Sequence, residues 1–286
     1  MIMKEIHFFT GKGGAGKSTN AVFYAFENST ETLLCSLDPA HNLKNILQLD
    51  NLREIKKWYS SLDIEEPGME SLKHRYLSDV ESNLKSNSSY LSSFNLLDNF
   101  DIIKFSPGLE EYAVYYGFKY MMSKYDKSKR LFVFDMPPTA LSLRFFSLPH
   151  ISMAWLEKLI DLRYKIIEKK SMVSKVKKEK MPEDKVLRNL VKQKAGYADM
   201  INILSNATIH IVLNPEPVSI SEGIDLLKAL DDLGYNNIII HLNKYQGEIP
   251  SELGKLIDKY TLVKVPEFEI QPIGISQISK SLKALY

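Results

Sequence analysis

Short runs of β-branched and aromatic residues alternate with stretches of helical periodicity along this chain. The continuous apolar character of these runs is typical of strands that are covered on both faces. Alternation with helices implies βαβ crossovers, and therefore an α/β fold with a doubly wound, mainly parallel sheet of about seven strands. The predicted strands are EIHFFT, TLLCSLD, DIIKFSP, LFVFDMP, TIHIVLNP, NIIIHLNK and LVKVP.

Two intervals between these strands are longer than a plain crossover needs. Residues 50–100 are polar and rich in serine, and weak helical patterning predicts helices there. Residues 151–207 predict a helical insertion within a single domain that spans residues 1–286. Pro182 is expected to open the second helix of the insertion. The first helix carries two apolar rows, which are Met153, Leu156, Ile160, Tyr164, Ile167 and Trp155, Leu159, Leu162, Ile166.

The stretch GKGGAGKST lies between the first predicted strand and a predicted helix. It satisfies the pattern G-x-x-x-x-G-K-[ST], and a glycine-rich turn alone would not require a Lys-Ser pair at this spacing. Its glycines let backbone N–H groups point at a phosphate, and the helix adds the positive end of its dipole. In this pattern Lys17 reaches the β- and γ-phosphates, and the Ser18 hydroxyl binds Mg²⁺. The predicted nucleotide-binding residues are Gly11, Gly13, Gly14, Ala15, Gly16, Lys17, Ser18 and Thr19.

The loop carries a second lysine, Lys12, at its front. A lysine at this position points away from the phosphates that its own chain binds. Two interpretations are open. Lys12 is either one more solvated cation among 37 lysines and arginines, or a cation lent to another subunit to neutralise charge on the transferred phosphoryl group.

Two aspartates stand at the ends of predicted buried strands, Asp38 after TLLCSL and Asp135 after LFVF. Ligands of such sheets lie at the carboxyl ends of the strands, so both carboxylates are expected near the loop. Asp135 is interpreted as the aspartate that holds the Mg²⁺ shell, and Asp38 as the group that orients the attacking water. Either residue alone would be more typical of an Asx turn or a helix cap, but the two together behind a complete phosphate loop favour the functional interpretation. His41, three residues after Asp38, is interpreted as a structural hydrogen-bonding group.

Asn243, at the end of NIIIHLNK, has an amide that offers both a donor and an acceptor to a nucleobase edge. A turn residue at a strand end is the other interpretation.

Composition narrows the function classes. The 286 residues are 44% hydrophobic and 25% charged, with a net charge of +2, which gives no reason to expect nucleic-acid binding. The single cysteine, Cys35, fits a reducing compartment. No apolar run is long enough to cross a bilayer or to act as a signal peptide. The sequence therefore predicts a soluble, cytoplasmic protein.

KGGAGKST resembles the deviant Walker A motif of the arsenite-pump and tail-anchored-protein-targeting ATPases, the ArsA/Get family. DPAHNL resembles its switch I, and DMPPTALSLRFFSLP resembles its switch II. SPGLEE, NPEPVSISE, HLNK and VPEFEIQPIG resemble further family segments, in the expected order along the chain. The resemblance implies a P-loop NTPase fold of the deviant Walker A type, and Mg²⁺-dependent hydrolysis of ATP to ADP and phosphate.

The same resemblance assigns roles to the catalytic candidates Asp38, Lys12 and Lys17. Lys12 would cross a dimer interface to the partner's nucleotide, and Asp38 would activate water. Asp135 would hold the Mg²⁺ shell, through water, together with Ser18. Because the chain has one phosphate loop, whereas arsenite-pump ATPases commonly have two fused halves, a homodimer is expected.

The resemblance also places Asn243 and the backbone around Pro266 and Glu267 at the adenine pocket. The chain departs from the family pattern where switch II commonly reads Gly-His-Thr, because here it reads Ala140, Leu141 and Ser142. It also lacks the C-x-x-C that clamps zinc between subunits of the targeting ATPases, so no zinc is expected.

Three functions follow from the resemblance. The first is a homodimeric ATPase switch that captures apolar transmembrane helices, such as those of tail-anchored proteins, and delivers them to a membrane receptor. The second is the ATPase of an arsenite or anion exporter, which a single cysteine disfavours. The third is a positioning ATPase like MinD and ParA, which the short, moderately amphipathic tail GISQISKSLKALY does not favour.

Overall fold

A computed structural model describes residues 4–40, 42–87, 106, 108–177, 184–254, 256–283 and 285. The chain divides into two compact units. One comprises Met1–Phe145 with Ala207–Tyr286, and the other comprises Phe146–Asn206. The first unit contains the sheet and every residue that the sequence assigns to nucleotide binding.

Seven strands form one sheet in which every pairing is parallel. The order β3-β2-β4-β1-β5-β6-β7 places β1 at the centre, with crossovers in both directions. The predicted doubly wound parallel sheet is therefore confirmed. The strands are β1 Glu5–Gly11, β2 Thr32–Ser36, β3 Leu62–Glu65, β4 Leu131–Asp135, β5 Thr208–Leu213, β6 Ile238–Tyr245 and β7 Thr261–Pro266.

The helices are α1 Lys17–Glu27, α2 Leu43–Leu47, α3 Met69–Asn87, α4 Leu109–Lys124, α5 Thr139–Lys177, α6 Lys185–Ser205, α7 Pro217–Asp232 and α8 Ile275–Lys283. Two 3-10 helices cover Leu52–Lys57 and Ser251–Leu253. The first helix of the predicted insertion is the later part of α5, which starts earlier than expected and contains Pro149. Pro182 lies outside the described residues. No helix in the described part of the chain is both long and apolar enough to cross a bilayer.

One strand differs from the sequence prediction. The run DIIKFSP, residues 101–107, lies outside the described residues except for Ser106. The edge strand β3 was not predicted, because it lies in the polar interval 50–100 and has only four residues. Leu62 and Ile64 are buried while Asp63 and Glu65 are partly exposed, as expected where one face of an edge strand meets the core.

The central strands are buried on both faces, as their apolar sequences predict. On one face Phe8 packs among Phe118, Phe134 and Phe145, with ring centroids 5.4 to 5.6 Å from its own. On the other face Phe9 belongs to a core that includes residues of α1. Burial of each such side chain contributes about 1.5–3 kcal/mol. This packing fixes the carboxyl ends of β1, β2 and β4, where Gly11, Ser36 and Asp135 lie.

The second unit contains most of α5 and all of α6. Asp184 accepts the backbone N–H of Leu187 at 2.9 Å and so caps α6. Both Asp184 oxygens also accept from the guanidinium of Arg163, at 2.8 to 3.1 Å, which joins the two helices by a bidentate pair.

Candidate active site

The predicted phosphate loop connects the end of β1 to the start of α1. At Gly11 (φ +144°) a Cβ would collide with the carbonyl of Val212 on β5. At Gly16 (φ +95°) a Cβ would lie 2.5 Å from Nδ2 of Asn243. Both positions therefore require glycine, one for close strand packing and one for the entry into α1.

The middle of the loop faces open space. The N–H of Ala15 donates to the carbonyl of Lys12 at 3.2 Å and closes a tight turn. A Cβ added at Gly13 or Gly14 would meet no atom within 4 Å. This exposed backbone precedes the N-terminus of α1, an arrangement that suits an anionic phosphate. Thr19 follows in the first turn of α1 and is partly exposed.

Lys17 and Asp38 form a buried ion pair at the foot of the loop. Lys17 Nζ lies 3.7 Å from Asp38 Oδ2, and both side chains are about 5% exposed. A buried lysine needs such a counter-ion because desolvation of an unpaired charge is costly. The second oxygen of Asp38 accepts the N–H of Ala40 at 3.0 Å. The sequence-predicted phosphate cation and water-orienting carboxylate therefore lie side by side.

Asp135 ends β4 and is fully buried. Its Oδ2 accepts a hydrogen bond from the hydroxyl of Ser36 at 3.0 Å, and the Ser18 hydroxyl interacts with the same carboxylate and lowers its pKa. Burial raises the pKa of Asp135 to about 6, and the nearby charge of Asp38 adds to the increase. The hydrogen bonds from Ser18 and Ser36 and the charge of Lys17 act in the opposite direction.

The residues around Asp135 fit a magnesium ion. Asp135 Oδ1 is buried and has no hydrogen-bond partner among the described residues, and the Ser18 hydroxyl, in the first turn of α1, acts on the same carboxylate. Hard oxygen ligands of this kind, few in number, suit Mg²⁺, which keeps several waters and binds phosphate oxygens as well. Within the described ranges no group of three or more His, Cys, Asp or Glu side chains is arranged to hold a metal by itself.

Asn243 lies under the loop. Its Nδ2 donates to the carbonyl of Ala15 at 2.9 Å. Two further amides surround it, since Asn20 Nδ2 lies 3.5 Å from Asn243 Oδ1 and Asn214 Oδ1 lies 3.5 Å from Asn243 Nδ2. The amide thus braces the loop backbone. Its predicted contact with a nucleobase stays a prediction, to be made through Oδ1, which has a second lone pair.

Pro266 and Glu267 lie at and just beyond the end of β7. The N–H of Glu267 donates to the carbonyl of Tyr245 at 3.4 Å, and Gln246 donates to the Glu267 carboxylate. The segments after β6 and β7 are therefore tied together. Their predicted role at the adenine pocket stays a prediction.

Lys12 lies at the rim of the site and forms no ion pair with Asp38 or Asp135. Its Nζ is 3.5 Å from a carboxylate oxygen of Glu222 on α7, and the two side chains are 34% and 43% exposed. An exposed ion pair of this kind contributes little to stability and is readily exchanged for another partner.

His41 lies outside the described residues.

Sequence reasoning missed four residues of this site: Ser36, Asn20, Asn214 and Glu222. Two of them had a usable signal. Ser36 lies at the end of the predicted strand TLLCSLD, two residues before Asp38, so a hydroxyl was to be expected at the same strand end as the carboxylate. Asn20 follows Gly16 by one helical turn, and its Nδ2 donates to the Gly16 carbonyl at 2.9 Å.

The parallel sheet, the glycine loop at the end of β1 and the paired aspartates define a P-loop nucleotide-binding protein. The sequence pattern of the family described as anion-transporting ATPase matches residues 4–261. The chain therefore belongs to the anion-transporting ATPase family, which confirms the predicted family and the predicted ATPase class.

Several relatives share this sequence over long stretches. An ATPase ASNA1 homolog of Cryptosporidium parvum (strain Iowa II) is 28% identical over 255 residues, which are 85% of this chain and 66% of that protein. A protein of Aquifex aeolicus (strain VF5), whose name proposes arsenical pump-driving ATPase 1, is 25% identical over 99% of this chain and 78% of its own length. ATPase ASNA1 homolog 2 of Paramecium tetraurelia is 31% identical over 55% of this chain and 48% of its own. The chain thus spans about two thirds of the length of the Cryptosporidium relative and about half of the length of this Paramecium relative.

Proposed function

We propose that the chain is a Mg²⁺-dependent, homodimeric ATPase of the cytoplasm that couples its nucleotide state to the capture and delivery of apolar membrane-protein helices. The observation that carries the catalytic part is the convergence of Lys17, Asp38 and Asp135 at one end of the sheet, with Lys17 Nζ 3.7 Å from Asp38. In the same place Asp135 keeps one buried oxygen without a partner.

The residues divide the work of phosphoryl transfer. The backbone of Gly13 and Gly14 would bind phosphate oxygens, and Lys17 would leave Asp38 to neutralise the β- and γ-phosphates. Asp38, released from that ion pair, would orient the attacking water and accept its proton. Ser18 and Asp135 would hold Mg²⁺, which supplies charge neutralisation on the phosphate oxygens.

The position of Lys12 is an argument for a second subunit. Among the described residues, its own chain offers Lys12 only the half-exposed carboxylate of Glu222, an interaction that a triphosphate of higher charge would outcompete. Two chains meeting at their phosphate loops would each supply Lys12 to the other's nucleotide, in a closed twofold dimer. The site of each subunit would then be complete only with its partner.

Exposed apolar residues of the second unit are an argument for binding of an apolar client. Four apolar residues at helical spacing on α5, Ile151, Trp155, Leu159 and Leu162, are 41% to 67% exposed. We call them the α5 stripe. Single exposed apolar residues are ordinary, but a contiguous row indicates an interaction surface. An amphipathic or fully apolar helix is a suitable partner for such a row.

The proposal is tested by capture of a helix by the purified full chain. The probe is a fluorescent peptide with an uncharged, leucine-rich stretch of about 20 residues, the length that crosses a bilayer, and the control peptide has two lysines at its centre. We expect nucleotide-dependent binding of the first peptide only. The paired change Trp155→Ser with Leu162→Ser should reduce binding at least tenfold, whereas Trp58→Ser, at an exposed tryptophan of the first unit, should not. If the double variant bound the leucine-rich peptide as tightly as the Trp58→Ser control does, the proposal would be contradicted.

A second candidate is the ATPase of an anion or arsenite exporter, which the names of the family and of the Aquifex relative favour. The single cysteine disfavours it, because Cys35 is buried within β2 and burial raises the pKa of its thiol well above the usual range. A neutral, inaccessible thiol is a poor ligand for a soft metalloid. Stimulation of ATP hydrolysis by arsenite, without any capture of the apolar peptide, would favour this second function.

A further inference from the structure

Ser36 links the two aspartates of the site. It is the last residue of β2 and lies in register with Asp135 of the neighbouring strand β4. Residues paired in this way direct their side chains to the same face of a sheet. The Ser36 side chain therefore points toward the Asp135 carboxylate, and the residue is only 1% exposed.

The hydroxyl of Ser36 makes two hydrogen bonds. It donates to Oδ2 of Asp135 at 3.0 Å, and it accepts the backbone N–H of Asp38 at 3.3 Å. A serine hydroxyl has one hydrogen to donate. Since Asp135 takes it, the direction of both hydrogen bonds is fixed. Asp135 Oδ2 is thereby used within the protein, while Oδ1 has no partner among the described residues.

We propose that Ser36 is a positioning residue for magnesium-dependent hydrolysis: it holds the Asp135 carboxylate so that Oδ1 faces the metal shell, and it fixes the start of the segment that carries Asp38. This inference rests on the proposed function. It assigns to Ser36 no contact with the substrate.

Two features make the hydroxyl necessary. Asp135 is fully buried, so bulk water does not readily replace the donor that Oδ2 would lose, and weaker hydrogen bonding of a buried carboxylate is costly. Without the donor, the carboxylate is also free to rotate and to direct either oxygen at Ser18. Outer partners of this kind typically change metal affinity by about 10–100-fold when removed.

The strands themselves do not depend on Ser36. The N–H of Leu37 donates to the backbone carbonyl of Asp135 at 2.8 Å, and the N–H of Met136 donates to the carbonyl of Phe9 at 2.9 Å. Removal of the Ser36 hydroxyl should therefore leave the sheet paired while it changes the orientation of one carboxylate.

The test compares Ser36→Ala with Ser36→Thr, which keeps the hydroxyl on a β-branched side chain suited to a strand. Ser281→Ala, at a buried serine of α8 far from these strand ends in sequence, is the control. Two quantities are measured on the full chain: the Mg²⁺ concentration that gives half-maximal hydrolysis, and the affinity for a fluorescent ATP analogue in EDTA and in Mg²⁺.

For Ser36→Ala we expect the half-maximal Mg²⁺ concentration to rise about tenfold, with nucleotide affinity in EDTA within twofold of the wild-type value. Ser36→Thr should stay close to the wild-type protein in both. A purely structural role would lower the fraction of active protein and leave the Mg²⁺ dependence unchanged, and that result would overturn the inference. If Ser36→Ala does not fold, Ser36→Cys, with its weak donor, should show a smaller rise in the Mg²⁺ requirement, and an unchanged requirement would again overturn it.

The two proposals fail in different ways. A wild-type chain that hydrolyses ATP equally well in EDTA would reject the magnesium-dependent function itself. A wild-type chain that requires Mg²⁺, together with an unchanged requirement in the Ser36 variants, would reject only the role of Ser36.

Discussion

At the scale of single residues, the buried pair of Lys17 and Asp38 explains why one carboxylate is able to serve two states. In the structure Asp38 compensates the charge of Lys17 across 3.7 Å. In the proposed reaction a bound triphosphate would offer Lys17 a stronger partner, and the carboxylate would then become available as a base. The same residue would thus stabilise the loop before binding and act in the reaction afterwards.

We therefore expect Asp38→Asn to bind ATP but to lower kcat by about 10²–10⁴-fold, because an amide accepts no proton from the attacking water. Nucleotide affinity is measured with a fluorescent ATP analogue, and kcat by release of phosphate. Asp232→Asn, at an exposed acid at the end of α7, is the matched control and should retain the wild-type rate. A wild-type kcat for Asp38→Asn would remove this residue from the reaction.

Asn243 gives a second prediction at this scale. Its hydrogen bond to the carbonyl of Ala15 supports the loop that any nucleoside triphosphate would use. Asn243→Ala should therefore weaken binding of ATP and GTP by a similar factor, about tenfold for the loss of one partly buried hydrogen bond. Asn236→Ala, an exposed asparagine before β6, is the control. If Asn243→Ala instead lost affinity for ATP but kept the wild-type affinity for GTP, base recognition would be the main role of Asn243.

At the scale of elements, three strands carry a chain of buried histidines beneath α1. Nδ1 of His7 on β1 lies 2.8 Å from Nε2 of His210 on β5, and Nδ1 of His210 lies 2.8 Å from Nε2 of His241 on β6. The hydroxyl of Tyr24 on α1 lies 3.2 Å from the other nitrogen of His7. Burial lowers the pKa of His7 and of His241 to about 4, and it lowers the pKa of His210 as well. The three imidazoles are therefore neutral in the folded protein.

This chain should make the free energy of unfolding depend on pH. The unfolded imidazoles bind protons near pH 6.5, whereas folded His7 and His241 do so only near pH 4 and the pKa of folded His210 is also lowered. The stabilisation from the neutral histidines is therefore fully present above pH 6.5 and is lost as the pH falls toward 4. Each such proton contributes a slope of about 1.4 kcal/mol per pH unit. Asp135 opposes the trend, because its folded pKa near 6 is raised above its unfolded value, but it is one group against three.

The measurement is urea unfolding of the nucleotide-free chain between pH 7.5 and pH 5. We expect stability to decline across this range, and His241→Gln should reduce the slope by about one proton. His74→Gln, at an exposed histidine of α3, should leave the slope unchanged. A free energy of unfolding that is flat between pH 7.5 and pH 5 would contradict the neutral-histidine account.

The elements also show how far the sequence alone carries. Apolar runs such as LFVFD predicted β1, β2, β4, β5 and β6, because strands covered on both faces have a continuous apolar composition. The run LVKVP also predicted β7, although this edge strand is partly exposed. The strand β3 was not predicted, because four alternating residues at a sheet edge give too short a pattern to recognise. The loop was predicted by its pattern of glycines followed by Lys17 and Ser18, and the two aspartates by their positions at strand ends. The bridge through Ser36 was not, because it depends on the register between β2 and β4, which no single strand encodes.

At the scale of the whole molecule, Lys12 is the residue that a monomer does not explain. Its only recorded ion-pair partner among the described residues is Glu222, and that pair is half exposed. The other lysine of the loop, Lys17, is buried beside Asp38. If Lys12 acts on a partner's nucleotide, the two lysines serve two different active sites, and two defective subunits should be able to complement each other.

Lys12→Ala and Asp38→Asn should each abolish most hydrolysis alone. In a mixed dimer, the Asp38→Asn subunit lends its intact Lys12 to the site of the Lys12→Ala subunit, which still has its own Asp38. Random assortment makes half of the dimers mixed, and each mixed dimer has one complete site, so the mixture should recover about a quarter of the wild-type rate. Lys228→Ala, a surface lysine in a similar ion pair with Asp225, replaces Lys12→Ala in the control. Action of Lys12 within its own chain predicts no complete site in any combination, and a mixture as inactive as its two components would therefore exclude the shared active site.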